Sequence, residues 1–66
     1  MPIAIGTRFH TGQHNPVSGT FLFDGYMDGV PTPVPSAGEK RIPLSLAEVF
    51  PPCMRKACYW KLERYA

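Results

Sequence analysis

Hydrophobic and polar residues alternate most regularly near the end of the chain, in the segment CYWKLERY at residues 58–65. One side of this segment carries Cys58, Trp60, Leu62 and Arg64, and the other side carries Tyr59, Lys61, Glu63 and Tyr65. Successive side chains of a β-strand point to opposite faces, so a period of two residues indicates a strand with one buried face. We expect the best-defined strand of the protein here.

A second alternating segment, TFLFDGY at residues 20–26, places Phe21 and Phe23 on one face. The Asp-Gly dipeptides at 24–25 and 28–29 both favour tight turns. The strand therefore ends at one of these dipeptides or runs through a bulge at the first glycine. We favour a turn near residues 28–29.

Prolines and glycines indicate which segments lie at the edges of the sheet. Residues 3–9 predict an edge strand that bends or bulges at Gly6, and residues 11–19, TGQHNPVSG, predict a structured loop. The segment VPTPVP at residues 30–35 has a proline at every second position. Because proline has no amide hydrogen, this segment is predicted to be an edge strand or a polyproline II stretch.

The middle of the chain predicts a turn, a strand and a short helix. Residues 36–38 form the turn, and EKRIPL at residues 39–44 forms a strand that Pro43 closes. Ser45 and Glu48 then have the spacing of a capping box, which favours one helical turn at residues 45–50. Consecutive prolines at 51–52 prevent its continuation.

Together these elements predict a single small all-β domain over residues 1–66. We expect a small antiparallel meander or an SH3-like, partly open barrel of four to five short strands, with one helical turn near residues 45–50. The predicted core consists of Phe9, Phe21, Phe23, Ile42, Leu44, Leu46, Phe50, Trp60 and Leu62.

Composition narrows the classes of protein that this chain can be. A chain of 66 residues buries only about 60% of its unfolded surface, so its stability is expected to be marginal. Hydrophobic residues make up 44% of the chain, which is too much for a disordered protein. The sequence has no long apolar run and no signal-peptide pattern, so we expect a cytoplasmic protein without a membrane partner.

Two histidines and two cysteines are the candidate metal ligands. His10, His14, Cys53 and Cys58 are the residue types that a tetrahedral zinc ion prefers, although neither pair has the common C-x-x-C spacing. A disulfide and two free thiols are the alternatives, and two free thiols are favoured. We therefore predict no metal site and no cofactor.

An enzymatic role is not expected. A Cys/His nucleophile pair also needs an orienting group and an enclosed cleft, and a chain of this size is not expected to supply them. The five acidic residues form no recognisable acid/base pair, and each has a simpler role in a turn, a cap or a solvated face.

Binding is therefore the expected function. Tyr59 and Tyr65 are rigid aromatic anchors on the polar side of the last strand, Lys61 lies between them, and Arg55 and Lys56 precede the strand. We predict another protein as the partner, with self-association left open. A zinc-stabilised or weakly basic nucleic-acid-binding module is the alternative, but the net charge of +2 makes nucleic acid the less favoured partner.

Three motifs carry a resemblance to a known group of proteins. They are F-x-x-G-Q-x-x-P-x-S-G-x-F at residues 9–21, F-P-P-C at residues 50–53 and W-x-L at residues 60–62. The chain thereby resembles the YjzC-like proteins and similar short bacterial modules of uncharacterised function. The resemblance implies a small bacterial or phage β module whose scaffold residues are Pro16, Ser18, Gly19, Phe50, Pro51, Pro52 and Trp60. This chain has Asn15 where a cysteine often precedes the first proline, which weakens any metal site implied by the resemblance.

Overall fold

A computed structural model describes residues 3–66, and Met1 and Pro2 lie outside the described residues. It contains four strands: β1 (Arg8–His10), β2 (Gly19–Tyr26), β3 (Arg41–Leu44) and β4 (Cys58–Tyr65). They form one sheet in the order β1-β4-β2-β3, and all neighbouring strands are antiparallel. The sheet is partly open, with β1 and β3 at its edges. The all-β prediction with four strands is confirmed.

Strand β4 has the bounds that its alternation predicts. Cys58, Trp60 and Leu62 are buried on its inner face. Arg64 is exposed instead of continuing this row, because the register between β2 and β4 shifts by one residue between Thr20 and Phe21. Such a bulge places an extra residue in one strand and ends the regular alternation.

Strand β2 contains a second irregularity that changes which residues face the core. Phe23 pairs with Trp60, and Tyr26 pairs with Cys58, so β2 has one extra residue between these pairs. Gly25 lies in this bulge with a φ of 95°, which glycine adopts without steric cost. Tyr26 therefore faces the core and is 5% exposed. The favoured turn follows, with the amide of Gly29 donating to the carbonyl of Tyr26 over 3.1 Å.

Edge strand β1 is shorter than predicted, because the chain turns at Gly6 and pairs with β4 as a strand only from Arg8. The amide of Thr11 donates to the carbonyl of Cys58, so the amide of His10, one position earlier, points away from the sheet. There it donates to Oε1 of Gln13 over 2.8 Å. The carbonyl of His10 accepts the amide of Gln13. Neither outward backbone group of His10 is therefore free to pair with another strand.

Edge strand β3 is protected by proline. The amide of Phe23 in β2 donates to the carbonyl of Lys40. From this pair onward, hydrogen-bonded and non-hydrogen-bonded pairs of residues alternate along β3. Pro43, opposite Thr20, falls at a position that makes no such bonds with β2. Pro43 lies inside the strand instead of closing it, and its missing amide hydrogen falls on the open edge.

Within residues 3–66, an edge strand at residues 30–35 and a helical turn at residues 45–50 are both absent. Residues 30–35 pair with no strand, so the edge-strand alternative for this segment is wrong, and the polyproline II alternative stays a prediction. The predicted helical turn at residues 45–50 is also wrong, since residues 46–47 form a turn and Ala47 has a φ of 74°. The side chain of Glu48 still accepts a hydrogen bond from the amide of Ser45 over 2.6 Å.

Within residues 3–66 no helix is long and apolar enough to cross a membrane.

The loop at residues 45–50 pairs with the loop at residues 11–18 instead of coiling. Ala47 donates its amide to the carbonyl of Asn15, and Asn15 donates its own amide to the carbonyl of Glu48, each over 2.7 Å. These bonds replace the intrahelical bonds that a capping box would start. They leave Leu46 62% exposed, so its predicted place in the core is wrong.

The core lies on the inner face of the sheet. Of the predicted residues, Phe9, Phe21, Phe50, Trp60 and Leu62 are buried, and Phe23, Ile42 and Leu44 pack against them partly buried. Tyr26, Cys53 and Cys58 complete the buried cluster. Asn15 is also buried, and both ends of its amide are satisfied by the backbone, at Val17 (3.0 Å) and Ser45 (2.9 Å).

Candidate functional site

An open, mostly apolar cleft of about 260 Å³ lies at the inner side of β3. Four parts of the chain line it: the turn before β3, the inward side of β3, the segment that leads into β4, and the inner face of β4. The lining residues are Gly38, Glu39, Ile42, Pro51, Pro52, Cys53, Met54 and Trp60. Among the residues that the structure describes, none in this lining carries a positive charge.

The FPPC segment forms one wall of the cleft because Phe50 anchors it in the core. The ring of Phe50 stacks on Phe9 with centroids 5.0 Å apart and meets the edge of Phe21 at 4.9 Å. The carbonyl of Pro51 then accepts the indole Nε1–H of Trp60 over 2.9 Å. This bond fixes the indole orientation, so that wall and floor are held together rigidly.

Aromatic side chains continue from the floor of the cleft along the inner face of the sheet. Phe23 meets Trp60 edge-on at 6.2 Å and meets Tyr26 at 4.9 Å. Tyr26 faces inward only because of the bulge at Gly25. Trp60, Phe23 and Tyr26 thus form a row of three aromatic rings, here called the aromatic row.

Glu39 is the one acidic group in the lining of the cleft. Its Oε1 accepts the hydroxyl and the amide of Ser36, at 2.7 and 3.2 Å. Hydrogen bonding by the Ser36 side chain and then its backbone lowers the pKa of Glu39. The carboxylate therefore stays charged near neutral pH.

The thiols of Cys53 and Cys58 are free and buried. Desolvation is the largest influence on both, and it raises the pKa of each thiol. A thiol with a raised pKa is protonated near neutral pH and is a poor nucleophile.

The four candidate zinc ligands are not brought together. His10 and His14 are exposed, whereas Cys53 and Cys58 lie in the core. Within residues 3–66 no three His, Cys, Asp or Glu side chains converge in a way that could hold a metal ion. The zinc half of the alternative prediction thus finds no geometric support in this part of the chain.

Of the predicted binding residues, Tyr59 and Lys61 lie on the outer face of β4, and Tyr65 lies at its end. The guanidinium of Arg8 covers the ring of Tyr59, 3.8 Å from its centroid. Arg8 also pairs with Asp24 at 2.8 Å. The hydroxyl of Tyr65 donates to the carbonyl of Ile3. Both tyrosines are thus already engaged within the chain.

Arg55 and Lys56 lie apart from that face, in the tight turn at residues 53–56. Arg55 is exposed, with a φ of 63°. Lys56 is directed toward the end of β2 and the turn after it, where its Nζ lies 4.4 Å from the centroid of the Tyr26 ring and 3.0 Å from Asp28. The five predicted residues therefore do not form one surface, and whether they bind a partner stays a prediction.

Most of the cleft residues were not predicted as a site. The sequence pattern predicts Trp60 and Ile42 as core residues and Glu39 as the first residue of a strand. The F-P-P-C motif was the available signal, because two prolines after a buried aromatic residue expose a stiff apolar wall. No spacing rule connects residues 38–42 with residues 51–54.

The comparisons with known proteins provide no identification: no family model, no curated protein and no solved structure matches this chain. The resemblance to the YjzC-like proteins therefore stays a prediction.

Proposed function

We propose that this protein is a small non-enzymatic interaction module that binds a segment of another protein in the cleft beside Trp60. Its small size and lack of a catalytic constellation favour an accessory, inhibitor or immunity-type protein, and the resemblance and composition described above favour a bacterial or phage protein of the cytoplasm. The observation that carries the proposal is the open apolar cleft of about 260 Å³ over a fully buried tryptophan.

The size and lining of the cleft favour a protein side chain as its occupant. Sites for small molecules usually enclose about 300–1,000 Å³, so this cleft is slightly too small and too open for such a ligand. Met54 is flexible and 39% exposed, which suits a rim that adapts to a partner. Glu39 adds one negative charge at the rim. A lysine or arginine of the partner, with its apolar stem over Trp60 and its charge at Glu39, complements this lining.

The main competing mode of peptide binding is the addition of a strand to the edge of the sheet. The hydrogen bonding along β1 and β3 disfavours this mode. Exposed edges bind extended peptides through their free backbone groups. In β1, both outward groups of His10 are used by Gln13. In β3, Pro43 has no amide hydrogen, and the next outward amide, that of Ser45, donates to Glu48. The outward amides of Arg8 and Arg41 remain, one on each edge, which is too few for a ladder of backbone hydrogen bonds. A face or a cleft is therefore the better docking site.

The chemistry of the cleft supports binding over catalysis. Its thiol, Cys53, has a raised pKa, and its carboxylate, Glu39, has a lowered pKa and is held by Ser36. A general acid/base pair needs groups that titrate near the working pH. The lining of the cleft contains no such pair.

The test is affinity capture from bacterial lysate with the wild-type chain and two matched variants. Met54→Lys introduces a cation that pairs with Glu39 and fills the cleft. Val49→Lys makes the same kind of change at a residue that is also exposed, at 50%, but lies outside the cleft. We expect a partner that binds the wild type and V49K in about equal amounts and is lost with M54K.

A partner that is retained by M54K but lost with Lys61→Glu would contradict the cleft proposal. It would move the binding surface to the outer face of β4, where the sequence predicted it. Circular dichroism and melting curves for all variants show whether a loss of binding reflects a loss of folding.

A further inference from the structure

The segment VPTPVP, residues 30–35, crosses the end of the aromatic row and is here called the strap. The hydroxyl of Tyr26 donates to the carbonyl of Pro33, and Nζ of Lys56 donates to the carbonyl of Thr32 over 2.9 Å. Pro35 is the one buried residue of the strap. Two consecutive carbonyls and one proline ring therefore attach the strap to the domain.

Tyr26 and Lys56 form a preorganised binding site for these two carbonyls, here called the seat. Lys56 lies over the Tyr26 ring, and Asp28, 3.0 Å from its Nζ, holds it there. An aromatic side chain that offers a hydrogen-bond donor beside its apolar face is the arrangement by which proteins recognise proline-rich segments. The carbonyl of Thr32, which accepts from Lys56, belongs to the tertiary amide before Pro33 and is a good acceptor.

The strap is held loosely compared with the strands. Among the described residues, its backbone makes no hydrogen bond with the backbone of β1, β2, β3 or β4. Five of its six residues are exposed, including Val34 at 68%. The amide of Val30, at the start of the strap, donates to Oδ1 of Asp28 over 2.9 Å and stays in place. Detaching the rest of the strap exposes one proline and breaks two hydrogen bonds, each of which an incoming segment of the same chemistry would replace.

We propose that the seat formed by Tyr26 and Lys56 binds a proline-rich segment of another protein. The strap occupies the same site within the chain and competes with that external segment. The occupant presents consecutive carbonyls in an x-Pro-x-Pro context, as the strap does. This inference goes beyond the cleft function, because it concerns different residues and a different ligand chemistry.

A tethered competitor lowers the apparent affinity for any external ligand, because the seat is free only in the fraction of molecules whose strap is detached. Weakening the attachment of the strap should therefore strengthen binding from outside. A purely structural strap would not produce this effect, since loosening it would only destabilise the domain.

The probe is the acetylated and amidated peptide VPTPVP, titrated into the ¹⁵N-labelled full-length chain. Pro35→Ser removes the buried ring that anchors the strap. We expect shifts in the amide signals of Tyr26 and Lys56, with an affinity for P35S about tenfold above that of the wild type. Adding Tyr26→Phe to P35S removes the hydroxyl donor and should lower the affinity about fivefold to tenfold, as expected for one hydrogen bond.

Two controls separate this site from the cleft. The peptide VATAVA keeps the length and the valines but lacks proline, and it should bind at least about tenfold more weakly. M54K, which blocks the cleft, should leave binding of VPTPVP unchanged. The two proposals can therefore fail independently. Pro35→Ala, which shortens the buried anchor but keeps it apolar, is a milder second release variant if P35S does not fold.

Three results would overturn the proposal. The first is a folded release variant that shows no saturable shift at Tyr26 and Lys56. The second is a peptide that shifts Trp60 and loses its binding with M54K, which would place it in the cleft. The third is a release variant that forms dimers in sedimentation experiments without binding peptide, which would make a second copy of the chain the occupant.

Discussion

The two faces of β4 come from one alternating sequence, yet different interactions stabilise them. The inner face, with Trp60 and Leu62, is about 1% exposed at both residues and packs in the core. The outer face, with Tyr59 and Lys61, is half-buried, and the side chains on it are held by the ion pairs Arg8–Asp24 and Arg41–Glu63 and by one cation–π contact. Packing in the core specifies one arrangement, whereas solvated pairs are exchanged at little cost. The face chosen by sequence as the binding surface is thus the one with the weaker internal constraints.

The largest effect expected from this comparison is that of truncating the inner face. Trp60→Ala removes the floor of the cleft and the bond to Pro51, and it should lower the free energy of unfolding by about 3–5 kcal/mol. Tyr59→Ala, its neighbour on the outer face, should cost about 1 kcal/mol or less, as surface substitutions usually do. Urea denaturation of both variants measures the difference. Similar losses would mean that the two faces are equally constrained.

A smaller loss is expected where the inner face is closed by loops. Asn15→Ala leaves the amide of Val17 and the carbonyl of Ser45 without their partner, which should cost about 1–3 kcal/mol. Asn15→Asp keeps the acceptor for Val17 but buries a carboxylate with one oxygen facing the carbonyl of Ser45, so its loss near neutral pH should be the larger of the two. A melting temperature unchanged by N15A would remove Asn15 as the link between the loops.

The inner face should also respond to alkaline pH. Burial raises the pKa of Cys53, Cys58 and Tyr26, so each group is more easily deprotonated in the unfolded chain. The stability from the neutral thiols is complete below about pH 8.5 and is lost as the pH rises through the raised values. Unfolding free energies from pH 7 to 10 should therefore fall. The fall should be shallower in a Cys53→Ala/Cys58→Ala variant, and equal slopes would exclude the thiols as its cause.

The smallest effect is expected on the outer face. Arg41 and Glu63 pair at 3.0 Å across β2, but the Arg41 side chain is 58% exposed. Water and salt screen such a pair, so Arg41→Gln should change the unfolding free energy by about 0–1 kcal/mol, and less at high salt. A double-mutant cycle with Glu63→Gln isolates the interaction. A coupling energy well above 1 kcal/mol would show that the outer face is also rigidly specified.

Local patterns predicted the strands well where the alternation is uninterrupted. The bounds of β4 and most of β2 follow from a period of two residues, and five predicted core residues are buried. The predicted face of a residue was wrong where one extra residue in a strand interrupted the alternation. The bulge at Gly25 turned Tyr26 inward, and the shift near Leu62 left Arg64 exposed. A bulge moves every later side chain to the other face. The glycine marked a bulge as one alternative, but only the pairing of two strands shows that it forms.

What the sequence by itself determined about this protein is its class: a small all-β chain with a core of aromatic and aliphatic residues on alternating strands. Tertiary structure alone decided how the loops pair and where a cleft forms. The capping box at Ser45 favours a helix locally, but bonds from Asn15 to residues 47 and 48 lie about thirty positions away in sequence and hold an extended turn. The cleft likewise joins Glu39, Ile42 and Trp60 from separate segments. Such contacts depend on strand order, which short-range patterns do not encode.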